Sequence, residues 1–138
     1  MNINNVIIPD WYMSIKYTPS VIPDGRLYDI FNEWANCQVF SYELLRLNGK
    51  NVPNLRSSEL WEDQIFSYRV NNYKPLDILF FNYDDNSYWA HLWVYIWNNK
   101  VIHLSKQNWF PVIWSIDEFK CLKQYSVILW AKRFFNKK

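Results

Sequence analysis

The sequence predicts an α+β domain in which helices come first and an antiparallel sheet follows. Apolar residues recur at helical spacing between residues 24 and 64, whereas short aromatic and β-branched runs separated by turn residues dominate the second half. Hydrophobic residues make up 50% of the 138-residue chain and charged residues 20%, so one core is expected over residues 1–138. Prolines interrupt residues 1–25, which we expect to form an irregular arm on this domain.

Two helices are predicted before residue 50. The first begins at Asp24, a suitable N-cap, and ends near Ala35. Asn36 offers a second cap, so the next helix begins at Cys37. This second helix ends where Gly49 can adopt the left-handed conformation of a C-cap. Cys37 is therefore expected in the first turn of a helix.

The remaining elements follow from the same patterns. A short helix is predicted over residues 57–64, after Pro53. Strands are predicted over residues 77–81, 91–97, 100–105 and 125–134. The helices therefore precede the strands along the chain, which is typical of the α+β class.

Charge and hydropathy exclude several classes of partner. The net charge is +2 and the basic residues form no stripe, so we expect no nucleic-acid partner. No segment approaches membrane-spanning length, so no membrane partner is expected either. The first residues lack a secretory signal because Pro9 interrupts their apolar run, which predicts a cytoplasmic protein unless a dedicated system exports it. The sequence leaves the oligomeric state open.

The two cysteines, Cys37 and Cys121, are expected to be free thiols. A thiol in the first turn of a helix meets the positive end of the helix dipole and free amide N–H groups. Both features favour the thiolate, and the same amides can hold an oxyanion. Cys37 is therefore a candidate nucleophile, although many helical cysteines are only small buried side chains, so the hypothesis needs a base.

The two histidines, His91 and His103, fall in one predicted hairpin, and the length of its loop decides whether they share a face. A two-residue turn at Asn98-Asn99 would place them on opposite faces. A three-residue loop with a left-handed Asn99 would pair His103 with Trp93. It would also gather aliphatic side chains on the opposite face, namely Leu92, Val94, Ile96, Ile102 and Leu104. Because this face suits a core, we predict the three-residue loop and two imidazoles on one face.

Cys37 and three later motifs follow one another in a characteristic order. Residues 52–58 read VPNLRSS, residues 75–81 read PLDILFF, and residues 91–103 read HLWVYIWNNKVIH. In this order they resemble the NlpC and p-sixty group of cell-wall cysteine peptidases. The nucleophile of that group lies in Asp-Cys-Ser-Gly, and a later strand contains Pro-Gly-Asp-Leu-Val-Phe-Phe. The family's two histidines align with His91 and His103 without a gap, and the resemblance covers roughly residues 25–134.

The resemblance implies a papain-like fold, in which N-terminal helices carry the nucleophile and pack on an antiparallel sheet. It implies Cys37 as nucleophile, His91 as base and His103 as the group that orients the base, with no metal and no organic cofactor. The implied reaction is cleavage of an amide bond in a peptidoglycan-type peptide, for example next to γ-D-glutamate. An amide or acyl substrate from outside the cell wall, used by an amidase or acyltransferase, stays open.

The departures from the family pattern bear on the substrate. Gln38 and Trp93 stand where the family has a serine and a glycine, so both are expected to line and narrow the substrate groove. Leu76 replaces a second glycine. The family also places a tyrosine before the nucleophile to help bind the oxyanion, and the candidates here are Tyr12, Tyr17 and Tyr28.

Two other classes compete with this interpretation. The first is an inactive or binding module on the same fold, which the complete set of Cys37, His91 and His103 disfavours. The second is a zinc site made by Cys37, Cys121, His91 and His103. These residue types suit zinc, but their spacing contains no Cys-x-x-Cys pair, so Cys121 is expected to be structural.

Overall fold

The computed structural model describes residues 2–3, 5–22, 33–82, 91–105 and 109–137. The helices in this part of the chain are α1 (Cys37–Leu47), α2 (Ser57–Glu62) and α3 (Ile116–Lys120). The strands are β1 (Asn2–Ile3), β2 (Val6–Ile7), β3 (Lys16–Tyr17), β4 (Trp34–Ala35), β5 (Ser67–Val70), β6 (Ile78–Asn82), β7 (His91–Trp97), β8 (Lys100–His103), β9 (Val112–Ser115) and β10 (Val127–Phe134). The predicted α+β class is confirmed. No helix of the described ranges is long and apolar enough to cross a membrane.

Most strands belong to one antiparallel sheet. Within the described residues its order is β5-β10-β6-β7-β8-β9. The predicted strands at residues 77–81, 91–97, 100–105 and 125–134 correspond to β6, β7, β8 and β10. Every residue of β6 is buried, because this strand is central and both faces of the sheet are covered.

Helix α1 covers one face of the sheet and contacts β7 and β8. Its apolar residues, among them Phe40 and Leu44, are fully buried against the aliphatic side chains of the sheet. Gly49 ends the helix with φ +85°, the left-handed conformation expected of it. Helix α3 and the following 3₁₀ turn, Lys123–Tyr125, cover the other face, where Phe119 and Tyr125 join a second apolar cluster.

The hairpin between β7 and β8 has the predicted pairing but not the predicted loop. Val94 pairs with Ile102 and Tyr95 with Val101, as a three-residue loop would require, yet the turn is the two-residue Asn98-Asn99. Both asparagines have positive φ, 52° and 64°, which is the pattern of a type I′ turn. A register shift between Tyr95 and Trp97 supplies the extra residue. The predicted length of the loop was therefore wrong. His91 and His103 nevertheless lie on the same face of the sheet, because the bulge adds the residue that the shorter turn lacks.

The region before Cys37 differs from the prediction. Trp34–Ala35 is the short strand β4, which pairs in parallel with Lys16–Tyr17, and is not the end of a helix. The N-cap residue Asn36 is itself extended, with φ −84° and ψ 177°, so the chain reaches α1 in an extended conformation. Pairing with the N-terminal arm outweighs the local helical pattern here. The rest of the predicted first helix, residues 24–32, lies outside the described residues.

Candidate active site

Cys37 is the first residue of α1, and Asn36 fixes the start of that helix. The Asn36 side chain accepts a hydrogen bond from the Val39 N–H at 2.8 Å, which satisfies one free amide of the first turn. One helical turn beyond Cys37, the Ser41 hydroxyl donates to the Leu92 carbonyl at 3.3 Å. These contacts present the Cys37 thiol to the beginning of β7.

Two opposing influences act on the pKa of the Cys37 thiol. Burial is the larger one and raises the pKa, while the backbone N–H groups of Leu92, Cys37 and Gln38 lower it. The net shift is upward, so the resting thiol favours its protonated form. The dipole argument from the sequence identifies the helpful amides correctly, but it omits the cost of burying a thiolate.

His91 is the first residue of β7 and directly precedes Leu92, whose N–H contacts the thiol. Its ring stays partly exposed and meets the ring of Tyr125 edge to face, with centroids 4.9 Å apart. Burial lowers the pKa of His91 below its usual value, which favours the neutral imidazole. A neutral imidazole can accept the proton of a protonated thiol, and Tyr125, which contacts the His91 ring, also interacts with Cys37.

His103 is the last residue of β8 and is fully buried, at 0% exposure. Its ring contacts Trp93 and Phe119, with centroids 4.4 and 4.3 Å away. Burial, with a smaller contribution from His91, lowers the pKa of His103 to about 3. His103 is therefore neutral at physiological pH.

Both imidazoles lie on the same face of the sheet. His91 and His103 each contact the Tyr125 ring, at centroid distances of 4.9 and 6.4 Å, and they also interact electrostatically. The opposite face carries the aliphatic residues that pack on α1, such as Leu92 and Ile102. The sequence predicted this division of the hairpin into an aliphatic face and a histidine face.

The two predicted groove residues occupy different positions. Gln38 is half-buried in the first turn of α1, directly after the nucleophile candidate, where it can border a groove. Trp93 has 0% exposure and lies in the aromatic cluster with Phe81 and Phe119. This placement corrects the expectation that Trp93 narrows the groove, because a side chain without exposed surface supports His103 from the core.

One tyrosine of the N-terminal arm is coupled to the nucleophile candidate. Burial raises the pKa of the Tyr17 hydroxyl, and the Cys37 thiolate raises it further. Tyr12 is instead fully buried, stacks on Phe40 with centroids 4.3 Å apart and donates its hydroxyl hydrogen to the Phe40 carbonyl. Tyr28 lies outside the described residues. Of the two described candidates from the N-terminal arm, Tyr17 is thus the one whose hydroxyl interacts with Cys37.

Tyr125 and Ser105 are site residues that the sequence did not single out. Burial raises the pKa of Tyr125, the nearby Ser105 hydroxyl lowers it, and Cys37 and Tyr17 raise it again. The Tyr125 side chain therefore reaches the same small region as the thiol and His91. No motif marks Tyr125, which the sequence placed only at the start of a strand.

Cys121 lies apart from this constellation. It is exposed at the C-terminal end of α3, where its thiol donates to the Asp117 carbonyl at 3.4 Å. Cys121 was expected to be structural, but its exposed thiol packs in neither apolar cluster of the described residues. Among residues whose placement is described, no three histidine, cysteine or acidic side chains converge on a position that could hold a metal ion.

The chain is similar to known proteins in its structure, whereas its sequence gives no significant match. No protein-family model matches the chain, and no curated protein matches it significantly. The fold is similar to NlpC1 from Trichomonas vaginalis, with a TM-score of 0.61, 18% identity and 91% of this chain covered; the chain spans 41% of that protein. It is also similar to the NlpC/p60 domain of the peptidoglycan hydrolase SagA, with a TM-score of 0.54 and 15% identity over 89% of this chain and 90% of that one.

The chain therefore has an NlpC/p60-type papain-like fold, as the motif resemblance implied. Helix α1 carries Cys37 and packs on the antiparallel sheet whose strands β7 and β8 carry the two histidines.

Proposed function

We propose that the protein is a cysteine hydrolase that cleaves an amide bond, with Cys37 as nucleophile, His91 as base and His103 as the residue that orients the base. The main support is one juxtaposition: the Cys37 thiol at the start of α1 lies against the Leu92 N–H, and His91 is the adjacent residue of β7. Tyr125 links the three proposed residues, because its ring contacts both imidazoles and its side chain also interacts with Cys37.

The first half of the proposed reaction begins with a protonated Cys37 thiol and a neutral His91 imidazole. As the Cys37 sulfur attacks the substrate carbonyl carbon, His91 accepts the thiol proton, so no isolated charge has to be buried beforehand. The oxyanion meets the backbone N–H groups of Cys37 and Gln38, with the Tyr17 hydroxyl as a further donor. His91 then protonates the leaving nitrogen, and the C–N bond breaks to give a thioester on Cys37.

The second half of the reaction regenerates the thiol. His91 accepts a proton from water, the resulting hydroxide attacks the thioester carbonyl, and the C–S bond breaks. The sulfur recovers its proton from the imidazolium. His103 assists by holding the ring of His91 in one orientation, a role that suits a neutral imidazole in an aromatic environment.

A peptide of the peptidoglycan type, cut for example next to γ-D-glutamate, is the substrate we propose. Support comes from the similar fold of the SagA domain, which belongs to a peptidoglycan hydrolase, and from the motif order. An amidase or acyltransferase acting on another substrate would use the same thioester, with a different acceptor in place of water.

Digestion of purified murein peptides tests this proposal. The chain should release a new amine and a new carboxylate from the peptide stem, and Cys37→Ala should abolish the release. Cys121→Ser is the matched control, because it removes the other thiol, which is exposed and bonded only within its own helix in the described contacts. Release that survives Cys37→Ala contradicts the assigned nucleophile.

A further inference from the structure

An aromatic hollow of about 350 Å³ shares Tyr17 with the candidate active site, since the Tyr17 hydroxyl interacts with Cys37. It is lined by Tyr17, Thr18, Pro19, Trp34 and Trp109. We infer that this hollow binds a neutral apolar group of the substrate, such as an aromatic or branched aliphatic side chain next to the scissile amide. The inference rests on the proposed function and adds the class of substrate that the site prefers.

One wall of the hollow is continuous with the strand that leads to the nucleophile. In the parallel pair β3–β4, Lys16 pairs with Trp34 and Tyr17 with Ala35. The Thr18 N–H donates to the Ala35 carbonyl at 3.0 Å, so three consecutive residues of the arm are fixed to the chain just before Asn36. Tyr17 thus lines the hollow, and its hydroxyl interacts with Cys37.

The opposite wall is fixed to the histidine strand. The Trp109 N–H donates to the Ser105 carbonyl at 3.0 Å, two residues after His103, and the Trp109 carbonyl accepts from the Tyr17 N–H at 2.8 Å. Trp109 also has φ +61°, a conformation that costs a bulky residue energy and that these two hydrogen bonds maintain. Its side chain is 56% exposed, so a large aromatic surface is available to a ligand.

The lining determines which groups can enter. None of the five side chains is ionisable near neutral pH, and Thr18 and Tyr17 supply the only hydroxyl groups among them. A carboxylate would lose water there without gaining a cation among the described lining residues, which makes its transfer unfavourable. The Lys16 amine lies outside this lining, over the Trp34 ring at 5.4 Å from its centroid.

The size of the hollow fits the same class of group. A cavity of about 150 Å³ accommodates a benzene molecule, so the hollow has room for an aromatic ring together with part of the adjoining backbone. Two indole rings and a phenol ring supply broad apolar contact surfaces. This lining therefore favours the second substrate class of the proposed function, an amide or acyl group from outside the cell wall, over a stem peptide rich in free carboxylates.

A binding experiment tests the inference without relying on catalysis. Cys37→Ala protein, with its tryptophan indole N–H resonances assigned, is titrated with N-acetyl-phenylalanine amide and with N-acetyl-glutamate amide. We expect the phenylalanine ligand to shift the Trp34 and Trp109 signals and to bind at least about tenfold more tightly than the glutamate ligand. Equal binding of the two ligands, or no shift of these signals, would overturn the inference whatever the enzyme does.

Variants of Trp109 distinguish the loss of its contact with the ligand from a general loss of folded structure. Trp109→Asn keeps a residue that tolerates positive φ but removes the apolar surface, so it should reduce phenylalanine binding about tenfold or more. Trp109→Phe should retain most of the affinity for the phenylalanine ligand. Phe135→Asn is the matched control, since Phe135 is similarly exposed, at 52%, and lines a different hollow with Ile65 and Phe66. Loss of binding in Phe135→Asn, or none in Trp109→Asn, contradicts the assignment.

Turnover then distinguishes this inference from the proposed function. Peptides that differ only in phenylalanine or glutamate beside the scissile bond are compared by kcat/KM. Cleavage that needs Cys37 but shows no preference leaves the hydrolase standing and overturns the preference. Selective binding without any cleavage supports the hollow and contradicts the hydrolase.

Discussion

The rings of Tyr125 and His91 meet edge to face, with centroids 4.9 Å apart and planes inclined at 88°. Tyr125 is almost fully buried, so its ring is a fixed surface against which the imidazole is held. Substitution of Tyr125 removes this ring contact while it leaves the Cys37 and His91 side chains themselves unchanged. Tyr125 is therefore a positioning residue for the proposed base.

We expect the ring of Tyr125, more than its hydroxyl, to matter for catalysis. Tyr125→Phe keeps the edge-to-face contact and should lower kcat by less than about threefold, whereas Tyr125→Leu should lower it by about tenfold or more, because misplacing a base reduces the rate. KM should change little in either variant. Steady-state kinetics across pH checks this: equal losses in the two variants would point to the hydroxyl, near Ser105, as the important group.

The burial of neutral His103 predicts a loss of stability in acid. Its pKa is lowered from 6.5 to about 3 in the folded protein, so between these values the unfolded chain binds the proton and the folded chain does not. The free energy of unfolding should therefore be highest above pH 6.5 and fall as the pH decreases. From pH 7 to pH 5 this one group accounts for about 2 kcal/mol.

Urea denaturation at several pH values measures this dependence. Between pH 7 and pH 5, the free energy of unfolding of His103→Asn should decrease by about 2 kcal/mol less than that of the unsubstituted protein. This difference should hold whatever the stability of the variant at pH 7. His91→Asn is a useful comparison, since burial also lowers the pKa of His91 and removal of that ring should reduce the slope as well. A slope unchanged by His103→Asn would mean that His103 is protonated, or exposed to solvent, in the folded state.

Leu76 stores backbone strain at the turn before β6. Its φ is +74°, unusual for a leucine, and its N–H donates to the Tyr95 carbonyl at 2.8 Å. Leu76→Gly relieves strain of about 1–2 kcal/mol and loses some apolar contact, whereas Leu76→Ala loses contact with no relief. We therefore expect the glycine variant to be more stable than the alanine variant by about 1 kcal/mol, measured by urea denaturation. Equal stability, or a more stable alanine variant, contradicts this account of the strain.

The parts that the sequence predicts well are those determined by neighbouring residues or by burial patterns. Asn36 caps α1 by accepting a hydrogen bond from the N–H of Val39, only three residues later. The aliphatic pattern of β7 and β8 determines which face of the sheet the histidines occupy. The Ser115 and Glu118 pair forms a capping box that could have identified α3, which the sequence analysis missed.

The parts that it predicts poorly depend on distant segments. Strand β4 replaces a predicted helix end because the N-terminal arm pairs with it. Trp93 faces the histidines as the register requires, but Phe119 and Tyr125 cover it, and their approach cannot be read from the local pattern. The same coverage buries His103, while burial of the Cys37 thiol reverses the expected sign of its pKa shift.

Alkylation of the Cys37 thiol measures whether His91 activates it. Because burial lowers the pKa of His91, the imidazole can still accept the thiol proton near pH 6. Cys121 is exposed and would react as an ordinary thiol, so the measurement uses Cys121→Ser protein. With iodoacetamide at about pH 6, we expect Cys37 to be alkylated at least about tenfold faster than the thiol of a free peptide. His91→Ala should remove this difference in rate. An alkylation rate no faster than that of the peptide, and the same with and without His91, would contradict the activation of Cys37 by His91.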